Sequence, residues 1–199
     1  DTKFNFLFVG LGLDKPMLED RKNITGLIKY FCEKFAGDKD VGLVLKISIV
    51  GNSEMDRLET IKRVTEIKNS TRCGQYPKIH VVHGRLTDAS MAALYKCSSI
   101  KAMVSLTHGE GYGLPMLEAA ACGLPVIATN WSGHLDFLTI DNKKKFIPIE
   151  FDAREIPESA IWNGVMERGS RWAEVNGEDV KHKLKKFQLS NEVPVKWAK

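Results

Sequence analysis

The sequence predicts an α/β domain built on a doubly wound parallel sheet, and three observations predict it. Short apolar, β-branched runs alternate with stretches of helical period along most of the chain. Most of these runs are apolar at consecutive positions, as suits strands covered on both faces. A turn with glycine at three alternate positions, Gly109, Gly111 and Gly113, joins one such run to a helical stretch. Ligands of doubly wound sheets bind beyond the carboxyl ends of the strands, where such turns lie.

The elements follow in order. Asn5–Val9 is the first strand. Ile24, Leu27, Ile28, Phe31 and Phe35 then recur at helical spacing and form a core-facing stripe. Leu43–Val50 is the second strand. Ser53 can cap a helix running to Asn69, with Asp56, Glu59, Lys62 and Arg63 on its wetter side. Lys78–Val82 is the third strand, and Thr87 can cap a helix containing Met91, Leu94 and Tyr95. Lys101–Leu106 leads into the glycine turn. The helix after it ends near Cys122, where Gly123 suits a left-handed C-cap. Pro125–Ala128 and Phe146–Ile149 complete the strands, and Lys143–Lys145 reads as a solvated turn. From Asp152 onward the alternation weakens, and Glu178–Gln188 reads as a basic surface helix. We therefore expect a Rossmann-like domain over residues 1–170 and a helical tail over 171–199.

Composition narrows the function. The chain has 199 residues, enough for one domain with a sizeable core. Its net charge of +4 comes without an aromatic and basic stripe, which argues against a nucleic-acid partner. A local basic site for a phosphorylated ligand fits the same excess. Cys32, Cys73, Cys97 and Cys122 form no CxxC pair and have no histidines at metal spacing, so no metal site is expected. Cys32, Cys97 and Cys122 read as reduced thiols in or near the core. Such reduced thiols lead us to expect a cytoplasmic protein. No signal peptide is visible, and no apolar stretch reaches bilayer-spanning length. The chain opens on Asp1 rather than Met, and it is expected to be part of a longer protein. Trp131, Trp162, Trp172 and Trp197 read as packing residues. His108 and His134, near the glycine turn, read as neutral and hydrogen-bonded.

The segment with most chemical content runs from Ser105 to Ile127. Its glycines let the backbone approach a ligand and take positive φ. Pro115 sits in the first turn of the helix, where a missing N–H costs little. The helix start offers free N–H groups and partial positive charge, suited to a diphosphate or to sugar oxygens. Glu110 in the loop and Glu118 one turn inside the helix can each accept two hydroxyl hydrogen bonds and so grip a vicinal diol. GxGxxG is absent and the turn follows a late strand, so a dinucleotide fingerprint is rejected.

This segment resembles the C-terminal domain of glycosyltransferase family 4, the glycosyl transferases group 1 domain. The resemblance lies in Glu110-Gly-Tyr-Gly-Leu-Pro-Met-Leu-Glu118, a Glu-x7-Glu spacing, followed by Ala-Ala-Ala-Cys-Gly-Leu-Pro-Val-Ile. It extends over residues 4–140, through Phe6–Gly10, Arg21-Lys22-Asn23, Val81–Leu86 and Ser132–Phe137. The resemblance implies one half of a GT-B fold that binds a nucleotide-diphosphate sugar for retaining transfer. It implies that Glu118 binds ribose hydroxyls and Glu110 binds donor-sugar hydroxyls. By the same likeness Gly109, Gly111, Tyr112, Gly113 and Leu114 surround the sugar and distal phosphate. Arg21 and Lys22 meet the diphosphate, and the base rests near Gly84, Arg85 and Leu86. It further implies no bound metal or other cofactor, and a saccharide or glycolipid acceptor held by an N-terminal GT-B domain absent from this chain. A peripheral membrane association of the full-length enzyme is compatible with a glycolipid acceptor. Leu11 stands where the family commonly has an arginine, and Arg21 is expected to replace that charge. Two alternatives stay open: a GT-B sugar-nucleotide epimerase, and a non-catalytic nucleotide-sugar-binding module.

Overall fold

A computed structural model describes residues 2–12 and 19–190. Strands and helices alternate from β1 (Phe4–Leu11), α1 (Ile24–Lys34), β2 (Val41–Ser48) and α2 (Glu54–Ser70) to β3 (Lys78–Val82) and α3 (Asp88–Tyr95). They continue with β4 (Ile100–Ser105), α4 (Leu114–Ala121), β5 (Val126–Thr129) and the short α5 (Leu135–Leu138). A small ladder pairs β6 (Thr139–Ile140) with β7 (Lys143–Lys144), before β8 (Ile147–Ile149), β9 (Phe151–Glu155), β10 (Arg171–Val175) and α6 (Gly177–Ser190).

Six strands form one parallel sheet in the order β3-β2-β1-β4-β5-β8. The winding reverses between β1 and β4, so the connections after these two strands diverge and leave a crevice at their carboxyl ends. This is the Rossmann-like α/β fold expected. Successive residues of β1 and β2 divide between two cores. Phe6, Phe8, Leu43, Leu45 and Ile47 meet Ile24, Leu27, Ile28 and Phe31 of α1 on one face. Leu7 and Val44 join Met103, Met116, Ala119 and Phe146 on the other. Burial on both faces explains the unbroken apolar runs.

Local chemistry sets the helix ends. The Ser53 hydroxyl accepts from the Asp56 N–H, and the Thr87 hydroxyl accepts from the Ser90 N–H. Gly123, at φ +78°, takes the left-handed conformation that ends α4. No helix among the described residues is long and apolar enough to cross a membrane.

The carboxyl-terminal part differs from its sequence reading. α6 was expected to be a basic surface helix, yet Val180, Leu184 and Phe187 are buried in the α1 core. Their i, i+4, i+7 stripe is masked in the sequence by four interleaved lysines. The Phe187 ring lies 5.8 Å from Phe4 and 5.9 Å from Phe6. β10 pairs antiparallel with β9, a hairpin hidden by the polar composition of Phe151–Glu155. Residues 171–190 thus pack into the core of the preceding residues, across the division placed at 170. The rest of the expected tail, 191–199 with Trp197, lies outside the described residues, as does most of the loop after Gly12. Cys32 is buried as expected, whereas Cys97 is exposed.

Candidate functional site

The crevice between β1 and β4 gathers two loops. In the loop before α1, Asp20 is buried and caps the helix that follows. Its carboxylate accepts from the N–H of Lys22 at 3.0 Å and of Ile24 at 2.7 Å. Asn23 takes a left-handed φ of 52° and donates its side-chain amide to the Leu106 carbonyl. The Arg21 carbonyl accepts from the His108 N–H at 2.9 Å and from the Thr107 hydroxyl at 3.0 Å. These bonds fasten the Arg21-Lys22 turn to the end of β4, so both cations project over the glycine turn.

There they meet Glu110. Lys22 Nζ hydrogen-bonds Glu110 Oε1, and Arg21 Nη1 lies 3.5 Å from Glu110 Oε2 while donating to the Gly109 carbonyl. The Glu110 side chain is only 9% exposed, against 41% for Arg21. Its backbone is pinned from both sides by Ser132, whose hydroxyl accepts from the Glu110 N–H and donates to the Glu110 carbonyl. Ser132 itself takes φ +91°. Behind it Gly133 packs so closely that an added Cβ would lie 2.0 Å from the Gly111 carbonyl oxygen.

The three glycines of the turn are not equivalent. Gly113, at φ +89°, is required by the backbone and by Met116 and His134 beside it. Gly111 faces open space, and Gly109 would meet only Ser132 Oγ, at 4.0 Å. Positive φ was expected of the turn, but among these three glycines only Gly113 takes it. The other two keep the mouth of the crevice clear. Gly113 begins α4 with no side-chain cap; Pro115 has no N–H, and the Met116 and Leu117 N–H groups turn back to the Gly113 carbonyl, so in this first turn the Leu114 N–H is the amide left without a partner among the described residues. Tyr112 is half exposed, with its ring 5.2 Å from Phe137.

Glu118 is exposed on α4, one turn in from the glycines. One carboxylate oxygen accepts from the Tyr95 hydroxyl at 2.9 Å. Burial, reinforced by the carboxylate, pushes the Tyr95 phenol well above its ordinary range, so it stays a donor. A cavity of about 620 Å³ opens along Val9–Gly12, Asp20, Arg21, Lys22, Lys46 and Pro115. Gly84, at φ +87°, adjoins it through its carbonyl, which accepts from Lys46 Nζ. Arg85 and Leu86 follow in the same loop but do not line this cavity. Sequence reasoning singled out neither Lys46 nor Tyr95 as a site residue. The available signal for Lys46 was a lone charge in the apolar run Val41–Ile49.

A second cleft, of about 480 Å³, shares Arg21 and runs past Glu110 to Trp131, Trp162 and Trp172. Trp172 is buried and stacks on His108 with ring centroids 4.4 Å apart. Trp162 is 66% exposed and does not pack as expected, whereas Trp131, 42% exposed, packs its ring 5.5 Å from that of Phe151. His108 donates Nδ1–H to the Ala173 carbonyl at 2.6 Å, and His134 donates Nε2–H to the Thr129 carbonyl at 2.7 Å. Among the described residues no group of three or more His, Cys, Asp or Glu is placed to hold a metal ion.

The family described as glycosyl transferases group 1 matches residues 3–160. The chain belongs to the glycosyl transferases group 1 family. This group 1 domain is 28% identical over 141 residues to sucrose synthase 7 of Oryza sativa subsp. japonica, covering 69% of the chain and 16% of the relative. It is 28% identical over 128 residues to the O-antigen chain mannosyltransferase B of Escherichia coli, covering 64% of the chain and 30% of the relative. The chain therefore spans well under half the length of these relatives. Its fold matches the C-terminal domain of a glycosyl transferase group 1 family protein from Francisella tularensis, with TM-score 0.62 and 17% identity. That match covers 100% of this chain and 82% of the other. It also matches Anabaena HepE, solved in complex with UDP and glucose, with TM-score 0.59 and 11% identity over 99% of this chain and 42% of the other. The group 1 domain thus has the Rossmann-like architecture of one GT-B half.

Proposed function

We propose that this chain is the donor-binding half of a retaining glycosyltransferase, taking a nucleotide-diphosphate sugar in the crevice between β1 and β4. One observation carries the reading: Arg21 and Lys22 converge on Glu110 beside the uncapped start of α4, with Glu118 one turn further along that helix. The solved UDP complex of a protein with the same fold supports the ligand class. The named transferase and synthases among the relatives support the reaction class.

In this reading the bond between the anomeric carbon and the phosphate oxygen breaks with its electron pair going to the diphosphate. Arg21, Lys22 and the Leu114 N–H at the start of α4 meet that charge in place, with little reorganisation. Without ligand, Glu110 neutralises both cations. An arriving diphosphate takes over the cations and releases the carboxylate to accept from hydroxyls of the donor sugar. Gly109, Gly111, Tyr112, Gly113 and Leu114 border the sugar and distal phosphate. Tyr95 holds one oxygen of Glu118 and leaves the other for the ribose diol, and the base rests by Gly84, Arg85 and Leu86. The cations carry the charge stabilisation, so the reading calls for no metal. The acceptor, a saccharide or glycolipid, approaches from an N-terminal half outside this chain, and the reading places the enzyme in the cytoplasm. Retention of configuration enters by family likeness alone.

Calorimetry with UDP, GDP and ADP and their sugar conjugates tests the site. One of these ligands should bind the parent. Lys22→Ala and Glu118→Ala should each weaken it by about 1.5–3 kcal/mol, roughly ten- to a hundredfold, as for a hydrogen bond to a charged group. Equal affinity in the parent and both variants would place the site elsewhere.

A further inference from the structure

We propose that Lys46 is a third cation for the donor's diphosphate, reaching the cavity from beneath, out of the sheet itself. The inference rests on the donor-site reading and adds a ligand-binding residue to it.

Lys46 is the only charged residue between Val41 and Ile49. It lies in an interior strand of a parallel sheet, with Val9 beside it on β1 and Val82 on β3. Leu45 and Ile47, its chain neighbours, face the α1 core, so Lys46 continues the row of Val44 on the other face. A lysine here loses hydration, and that loss must be balanced by hydrogen bonds or an anion. Lys46 has one neutral hydrogen-bond partner among the described residues, the Gly84 carbonyl. Among the described residues no carboxylate comes within ion-pair distance of Lys46. Two acids line the same cavity, Glu19 and Asp20. Asp20 is engaged by the N–H groups of Lys22 and Ile24, and neither acid pairs with Lys46. Burial accordingly holds the Lys46 ammonium below the usual lysine range.

A half-buried cation without a counter-ion among the described residues, opening on a cavity that already holds Arg21 and Lys22, is suited to an anionic ligand. In the donor-site reading that anion is the donor's diphosphate. Leu11, on β1, brings no charge to the same cavity. Lys46 also joins the diphosphate to the base loop, because the Gly84 carbonyl it holds precedes Arg85 and Leu86. The competing role is purely structural, a prop for that loop, and the two roles predict opposite effects on stability. Removing an unpaired, poorly hydrated charge relieves the folded state, whereas removing a prop weakens it.

The test uses the parent, Lys46→Met and Lys46→Arg. UDP, GDP and ADP are titrated by calorimetry, and the matching uncharged nucleosides by NMR shift changes. Thermal unfolding is recorded without ligand, and Glu118→Ala serves as a control for the donor site. Lys46→Met should lose at least about tenfold in affinity for the diphosphate that the parent binds, the equivalent of one charged hydrogen bond. Nucleoside binding should stay unchanged, Lys46→Arg should recover part of the loss, and the unfolding temperature of Lys46→Met should hold or rise. Unchanged diphosphate affinity in Lys46→Met, with Glu118→Ala still weakened, would overturn this inference and leave the donor site standing. Equal losses for nucleoside and diphosphate with a lowered unfolding temperature would make Lys46 a prop and also overturn it. A parent that binds none of the diphosphates would overturn the donor site and this inference together.

Discussion

Single side chains at this site are held by partners that differ in kind. Glu110 is positioned through its backbone by Ser132 and electrostatically by Arg21 and Lys22, whereas Glu118 is positioned by a neutral phenol. The two glutamates were legible in the sequence because their spacing is tied to a glycine turn and a helix start. Tyr95 and Ser132 were not legible as their anchors, because those contacts join residues 23 and 22 positions apart across separate elements. His134 carries a prediction of its own. Burial holds its imidazole below the ordinary value of 6.5, while the Thr129 carbonyl and the Glu110 charge pull weakly the other way. Below pH 6.5 the unfolded chain takes up a proton at this histidine that the folded chain refuses. Stability should therefore fall as pH drops from 6.5 toward the lowered folded value, then level off for this group. Urea midpoints measured across that range should show the decline, and His134→Gln should flatten this part of it. A variant with the same pH slope as the parent would remove His134 as the cause.

At the scale of elements, the glycine turn and the Ser132-Gly133 turn behave as one clamp. The sequence shows each as a local pattern but not that the second is pressed onto the first. The distances separate two kinds of glycine, and substitution should separate them by experiment. Gly111→Ala adds a methyl group where nothing lies within 4 Å, so the unfolding temperature should stay near that of the parent while nucleotide-sugar binding falls. Gly133→Ala puts a carbon 2.0 Å from the Gly111 carbonyl, so the turn must shift and both properties should decline. A stable Gly133→Ala that binds normally would mean that the clamp does not position Glu110. α6 illustrates what composition hides. Its lysines dominate the sequence reading, yet three apolar residues at helical spacing fix it against α1.

Across the whole molecule, the alternation of apolar runs and helical stretches was enough to predict a doubly wound sheet, because burial on both faces leaves a direct mark on strand composition. The reversal between β1 and β4 leaves no such mark. It is a property of strand order, and it is what brings Arg21 and Lys22 to the turn that carries Glu110. The β9–β10 hairpin and the tryptophan-lined cleft under it were also invisible, since their residues are polar or isolated in the sequence. The chain spans only part of the relatives' length, and the share of the chemistry proposed for it is the donor side. That share is most directly tested by a crystal structure of this chain grown with the nucleoside diphosphate it binds. The account predicts phosphate density between Arg21, Lys22 and the start of α4, with the ribose against Glu118. A nucleotide bound away from the β1–β4 crevice, or one whose ribose avoids Glu118, would contradict it.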